Sequence, residues 1–342
     1  MKDLFGAVAD IHLTLSNIDE VSESFCEAVD LCVARDCKVL FLLGDIFTNR
    51  KSLEFEVLQA FSNLLDYCHR KGILVIKFPG NHDKISYQSE RSYLDIFQHH
   101  PGVKLITDLE KVEIEGHEIY VLPFFEERTA LNKYLEKLRK LKTKEGGILL
   151  THIAIDGVKN NDGSVIDGVV NRKLFKLFDT VLVGHYHNKQ VVDNITYIGS
   201  LRQNNHGEDD KKGITFMKEN GELEQCRVAF KKFLTVDIDL EEVDTKEIQT
   251  LTEIYSDSGE NIRFKFKGSQ DQLKKVNRSE LTAVGIDVAY KESVVEEIEE
   301  ESVIEFSGFN KNKIIGEWGD FCDKKDERDL YRVQGAELLE KI

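Results

Sequence analysis

The stretch Ile73-Leu74-Val75-Ile76-Lys77-Phe78-Pro79-Gly80-Asn81-His82-Asp83 decides how this chain is read. An apolar run of that length, closed by Pro and Gly, is the pattern of a buried strand that stops abruptly. Asn81 and His82 then sit on a turn at its carboxyl end, the edge where open α/β sheets bind ligands. Four more runs end in the same way. Residues 4–9 run into Asp10-Ile11-His12, and residues 39–43 into Gly44-Asp45. Residues 148–150 run into Thr151-His152, and residues 181–183 into Gly184-His185-Tyr186-His187. Five strand ends therefore deliver Asp, Asn or His to one edge, which points to a metal site rather than a core.

Between these runs the period changes. Val21, Phe25, Ala28, Val29 and Cys32 recur at helical spacing within residues 20–36. Leu53, Val57, Phe61, Leu64, Leu65 and Cys68 mark one face of a second helix over 52–71, with Gly72 placed to cap it. Alternating strands and helices are the signature of a parallel sheet with crossover helices. Past the central turn, residues 87–100 read as helical. Residues 103–107, 111–114 and 119–122 read as short strands, and 126–144 as a charged helix. Residues 157–168 are a polar surface loop, and strands at 190–192 and 196–198 lead to Gly199-Ser200. A second polar loop fills 202–212, and a strand at 214–218 ends at the Asn220-Gly221 turn. Composition shifts near residue 230. Strand, helix, strand, helix, strand over 233–240, 245–255, 261–267, 269–284 and 286–290 make a small α+β unit. Five glutamates within residues 295–301 read as a solvated linker. Beyond it Ile314, Ile315, Trp318 and Phe321 form one apolar stripe at spacings of three and four. The expected division is 1–228, 229–294 and 295–342.

A chain of 342 residues has room for one large domain and smaller ones. Its 41% hydrophobic and 32% charged content suits a soluble globular protein. No run reaches the ~18 apolar residues of a membrane helix, and the N-terminus carries no signal-peptide pattern. Six scattered cysteines without a Cys-x-x-Cys pair read as reduced thiols in a cytoplasmic protein. The net charge of −16 weighs against unaided tight binding to nucleic acid, and leaves room for a partner that supplies the grip.

Aspartate offers a hard anionic oxygen, asparagine a carbonyl oxygen and histidine an imidazole nitrogen. Such a set without thiolate suits Mn, Fe or Zn better than Ca. Asp10 and His12 can turn toward one ion, with His187 completing that site. Asn81, His152 and His185 can complete a second, and Asp45 can bridge the two. Paired ions about 3.5–4 Å apart activate water and hold phosphoryl oxygens during in-line attack. His82 is surplus to this count. It lies beside Asn81 and suits a general acid or charge stabiliser at the leaving oxygen.

Asp10-x-His12, Gly44-Asp45 with Arg50, Gly80-Asn81-His82-Asp83, His152 and Gly184-His185-x-His187 resemble, in order, the motifs of the calcineurin-like metallophosphoesterases. That resemblance implies an α/β fold, a β-sandwich flanked by helices. The chain length, the α+β unit and Tyr197-Ile198-Gly199-Ser200 further resemble the SbcD and meiotic-recombination-eleven nucleases, most of all their compact phage versions. The second likeness is strong over residues 1–220 and architectural beyond. It implies a nuclease domain over 1–228, a DNA-binding capping domain over 229–294, and an acidic linker with C-terminal helices over 295–342. It also implies a Mn-dependent exonuclease and endonuclease, with Mg as the second choice, using two divalent ions. The expected substrates are DNA ends, hairpins and single strands. The expected partners are an SbcC-like coiled-coil ATPase and a second copy of the chain, in the cytoplasm of a cell or of a phage host, without a membrane. The family's ligand roles fall on Asp10, His12, Asp45, Asn81, His152, His185 and His187, and its catalytic histidine is His82. Asp83 joins His82 as a catalytic candidate, either orienting it or hydrogen-bonding within the turn, and Arg50 as a supporting residue. Lys51, Lys84 and Arg91 adjoin the motifs as candidate DNA contacts, and Ile314, Ile315, Trp318 and Phe321 as candidate partner contacts. One departure is Thr48, where many relatives carry a second histidine.

Two other functions share these residues. A phosphoprotein or cyclic-nucleotide phosphoesterase has the same fold, but protein phosphatases carry Glu after Asn-His and Asp-Arg-Gly after the bridging aspartate. Here Asp83 and Thr48-Asn49-Arg50 stand there. A non-catalytic scaffold should have lost ligands, and none is missing.

Overall fold

Strands with unbroken apolar runs need cover on both faces, and the chain supplies it in four layers: helix, sheet, sheet, helix. The computed structural model describes residues 2–141, 146–160, 163–165 and 170–292. The first sheet is laid down by β1 (Asp3–Val8), α1 (Ile18–Ala34), β2 (Val39–Leu43), α2 (Phe55–Arg70), β3 (Leu74–Phe78) and β4 (Val103–Leu105). The second comprises β5 (Glu110–Ile114), β6 (His117–Leu122), β7 (Ile148–His152), β8 (Thr180–Gly184), β9 (Gln190–Val192) and β10 (Ile195–Tyr197), with α3 (Glu127–Leu141) between β6 and β7. The chain then returns to the first sheet through β11 (Ile214–Lys218) and β12 (Leu223–Cys226). The orders are β12-β11-β1-β2-β3-β4 and β5-β6-β7-β8-β10-β9.

Facing side chains from the two sheets, among them Phe41, Ile76, Phe78, Val121, Leu150 and Leu182, form the central core. Helices α1 and α2 cover the outer face of the first sheet through Phe25, Val29, Phe61 and Leu65. Strands β1, β2 and β3 are parallel, as are β7 and β8. Their carboxyl ends therefore collect the motif residues. A third sheet, β13 (Phe233–Asp239), β14 (Asn261–Gly268) and β15 (Asp287–Glu292), is wholly parallel. Helices α4 (Thr245–Ser256), α5 (Gln270–Leu273) and α6 (Arg278–Ala283) connect its strands. Ile238, Ile262, Phe264, Phe266 and Leu281 give it a core of its own.

Three expectations change. Residues 87–100 form only a short 3-10 turn, Tyr93–Phe97. The Tyr93 N–H is spent on the Asp83 carbonyl, which ties this stretch to the central turn. The helix expected over 269–284 is two, because the Asn277 side chain accepts from Glu280 N and starts a new one. Strand β12 was not expected. Its four residues are all half-buried, so they carry no apolar signal. The linker and C-terminal helices expected over 295–342, with Ile314, Ile315, Trp318 and Phe321, lie outside the described residues. No described helix is long and apolar enough to cross a membrane, and the five described cysteines are free thiols.

Candidate metal centre

The sheet edges converge where β1, β2, β3, β7 and β8 end. Asp10, His12, Asp45 and His185 all take positive φ, at 51°, 51°, 51° and 95°. Side-chain-bearing residues avoid that region, so the concentration marks a backbone held against its preference by its surroundings. The close approach of the two sheets needs missing side chains. A Cβ on Gly184 would lie 2.5 Å from the Leu43 carbonyl and 2.7 Å from His152 Nδ1.

Two triads result. The ligand atoms of Asp10, His12 and His187 lie within 4.8 Å of one another, as do those of Asp45, His152 and His185. Asp45 faces both: its Oδ2 is 3.3 Å from His152 Nε2 and 3.8 Å from His12 Nε2. Asn81 Oδ1 joins the second triad, 3.1 Å from His152 Nε2 and 2.9 Å from His185 Nδ1. The seven candidate ligands are thus brought together in the two groups expected from the sequence.

The donor set fits divalent cations. His152 donates from Nδ1 to the Leu43 carbonyl at 2.7 Å, which turns Nε2 toward Asp45 and Asn81. His187 donates from Nδ1 to Glu208 Oε1 at 2.7 Å, which turns its Nε2 to within 3.1 Å of His12 Nε2. Two imidazole nitrogens facing at that distance need a proton or cation between them. Asp10 and Asp45 are buried carboxylates, and burial raises the Asp10 pKa. Burial opposes a charge on His152, yet Asp45 beside it wins and lifts its pKa to about 9. A divalent cation would replace that proton in the charge balance. Burial lowers His12 and His185 to about 3, which keeps them neutral as ligands must be.

Glu208 was not expected from the sequence. It is buried beneath the first triad, accepting from His187, from Ser200 Oγ at 3.2 Å and from Asn205 Nδ2 at 2.8 Å. Lys212 Nζ, also fully buried, lies 3.0 Å from Glu208 Oε2 and donates to the His187 carbonyl at 2.6 Å. Burial would raise the Glu208 pKa, but His187 and Lys212 hold it at about 2. An i,i+4 Glu/Lys pair in a loop rich in Asp and Lys gives no sign of which acid turns inward.

The remaining candidates divide. His82 donates from Nδ1 to the Thr48 carbonyl at 2.8 Å and lines the cavity over the triads. Asp83 does not face that cavity. It is fully buried and accepts from Ile46 N, Phe47 N and Gly80 N at 2.9, 3.0 and 2.9 Å, so it fastens the β2 and β3 turns together. Burial, with Asp45 nearby, pushes its pKa up to about 7. Arg50 lies outside both triads, its guanidinium 4.0 Å from the centre of the Tyr87 ring. Lys84 is no surface cation. It is 6% exposed, with its ammonium over the Phe124 ring. Lys51 and Arg91 are exposed, as a DNA contact requires.

The calcineurin-like phosphoesterase family model matches residues 4–189, more than half of the chain and the part that holds all seven candidate ligands. The SbcD subunit of the nuclease SbcCD from Staphylococcus epidermidis is 26% identical over 240 residues, 61% of this chain. The chain matches 60% of that relative's length. A Thermus thermophilus crystal structure overlays 66% of this chain and 98% of its own at 11% identity and a TM-score of 0.42. The Pseudomonas putida nuclease MPE overlays 55% and 63% at 16% identity and a TM-score of 0.28. Family match and converging ligands lie on the same residues, and the chain belongs to the calcineurin-like phosphoesterase family.

Proposed function

We propose that this chain is a manganese-dependent DNA nuclease of the SbcD type, cutting phosphodiesters at DNA ends, hairpins and single strands. The observation that carries the reading is the pair of triads sharing Asp45, with His82 held over them by the Thr48 carbonyl. Two divalent cations at such a centre supply positive charge to a phosphodiester and acidify water. The chain's own residues then have separate tasks. Leu43 and Glu208 fix the tautomers of His152 and His187, so each presents Nε2. The His82 N–H donates to Asp45 Oδ1 at 2.8 Å and orients that carboxylate. With Nδ1–H donating to a carbonyl, Nε2 is the nitrogen left for the leaving oxygen, and only the imidazolium form of His82, protonated on both nitrogens, would hand a proton there.

DNA is favoured over a phosphopeptide by the likeness to the SbcD subunit of SbcCD. It is favoured also by Asp83 and Thr48-Asn49-Arg50, which differ from the protein-phosphatase pattern. The same likeness supports an SbcC-like ATPase as partner. That partner would also offset the −16 charge. On one face of the third sheet Lys265 meets Asp237, Lys267 meets Asp239 and Arg263 meets Asp287, while Lys291, beside Lys267 in the register, is exposed. Most of the positive charge on that face is thus neutralised rather than offered to a phosphate backbone.

Manganese-dependent cleavage of labelled duplex and single-stranded DNA, compared with phosphopeptide hydrolysis, tests the reading. His82→Ser should bind manganese like the wild type by calorimetry and lose about 10²–10⁴-fold in cleavage. Preferred hydrolysis of phosphopeptide would overturn the substrate, and undiminished cleavage would remove His82 from the chemistry.

A further inference from the structure

His82 is held by one main-chain atom, the Thr48 carbonyl. That atom lies in residues 48–51, which belong to no helix or strand. A segment without a ladder keeps its place only through its own few contacts. Just before it, Ile46 N and Phe47 N donate to Asp83. Within it, the described residues give the main chain two hydrogen bonds. His82 Nδ1 donates to the Thr48 carbonyl, and the Tyr93 hydroxyl donates to the Arg50 carbonyl at 3.0 Å. The second bond therefore anchors the far side of the segment that supplies the first.

Tyr93 is itself a fixed point. Its N–H donates to the Asp83 carbonyl at 2.9 Å, and its ring meets that of buried Phe47 edge-on at 6.5 Å. Ser92 opens the turn Tyr93–Phe97, with Oγ donating to Asp95 Oδ1 at 3.0 Å. Leu94 is buried, and its carbonyl accepts from the buried Lys77 ammonium at 3.0 Å. Tyr93 thus spans two turns. Its main chain is joined to the turn that carries His82, and its hydroxyl to the segment that carries the acceptor of His82. The same stretch grips residue 50 a second time, through the Tyr87 ring under the Arg50 guanidinium at 4.0 Å.

We propose that Tyr93 is a positioning residue for His82, clamping residues 48–51 so that the Thr48 carbonyl stays aimed at His82 Nδ1. The proposal rests on the reading of His82 as proton donor to the leaving oxygen and assigns what sets its geometry. A deoxyribose alkoxide needs a proton as it leaves, and p-nitrophenolate does not. Misplacing His82 therefore lowers cleavage of DNA more than hydrolysis of bis(p-nitrophenyl) phosphate, whereas a general loosening of the site lowers both.

The full-length chain at saturating manganese is given single-stranded DNA and bis(p-nitrophenyl) phosphate. In Tyr93→Phe, which keeps the ring, the ratio of the DNA kcat to the ester kcat should fall about tenfold, the upper end for one hydrogen bond. His82→Ser should lower the same ratio further. Tyr93→Phe added to His82→Ser should lower it no more, since one residue acts through the other. Nitrogen NMR of the metal-free protein gives a readout without activity: the neutral His82 ring should be protonated on Nδ1 in the wild type and mixed in tautomer in Tyr93→Phe. An unmoved ratio in Tyr93→Phe, an equal loss on both substrates, or losses that multiply in the double variant would overturn the clamp and leave the nuclease reading standing. DNA left uncut by the wild type, or an unmoved ratio in His82→Ser, would overturn the proton-donor role and the clamp with it.

Discussion

The two triads of the candidate centre are built by different means. The Asp45–His152–His185 group is made by main chain: the Leu43 carbonyl orients His152, and glycines at 44 and 184 let the two sheets close on it. The Asp10–His12–His187 group is held by side chains from elsewhere. Glu208 grips His187, Lys212 neutralises Glu208, and the Thr48 hydroxyl lies 3.4 Å from His12 Nδ1. A ligand oriented by a carbonyl changes only if the fold changes. A ligand oriented by a buried ion pair depends on one side chain in a loop, so the two positions should respond differently to substitution.

Asp45 is where the difference should vanish, since it reaches both groups. Asp45→Ala should lose metal at both positions and nearly all cleavage. His12→Ala should keep about one ion, because two triads give two positions. Elemental analysis of dialysed protein gives the stoichiometry. Two ions retained by the Asp45 variant would show that the triads do not depend on a shared carboxylate.

Glu208→Gln should separate them. The His187 imidazole loses its carboxylate acceptor, and metal affinity should fall about 10–100-fold at the first position only. Lys212 is left buried with less compensation, and breaking a buried pair costs about 3–5 kcal/mol. Glu208→Gln combined with Lys212→Met removes both charges and should recover stability without recovering first-position affinity. Calorimetric manganese titration and chemical unfolding together read the two effects. Equal weakening at both positions would mean that Glu208 serves the fold and not His187.

The same division governs what could be read in the sequence. Asp10, Asp45, Asn81, His152 and His185 follow apolar strand runs directly, so local pattern and site coincide. Glu208 lies in a polar loop beside Asp209 and Asp210, and only the return of the chain to β11 decides which acid is buried. Asp83 is the converse case, where the sequence leaves two roles open, orienting His82 or hydrogen-bonding within the turn. Adjacent to His82 in sequence, it points away from it, because the N–H groups of two turns needed an acceptor there. Residues 87–100 carry enough apolar residues for a helix, but a tertiary hydrogen bond to Asp83 spends the N–H that would have continued one. Local pattern thus gives the strands and what they carry, while contacts between distant segments settle the loops.

Thr48 should give the smallest change, and it tests whether main chain or side chain sets the position of His82. Its carbonyl accepts from His82 Nδ1 at 2.8 Å, while its hydroxyl makes only the 3.4 Å approach to His12. A hydrogen bond at that length is weak, and the carbonyl is untouched by a change of side chain. Thr48→Val keeps the shape and removes the hydroxyl. Cleavage by this variant should stay within about threefold of wild type, since a net neutral hydrogen bond is worth about 0.5–1.5 kcal/mol and this one is long. Any loss should appear in the manganese concentration needed for half-maximal rate, through His12, and not in the rate at saturating metal, through His82. A saturating rate that falls tenfold or more would place the hydroxyl, and not the carbonyl, in control of His82.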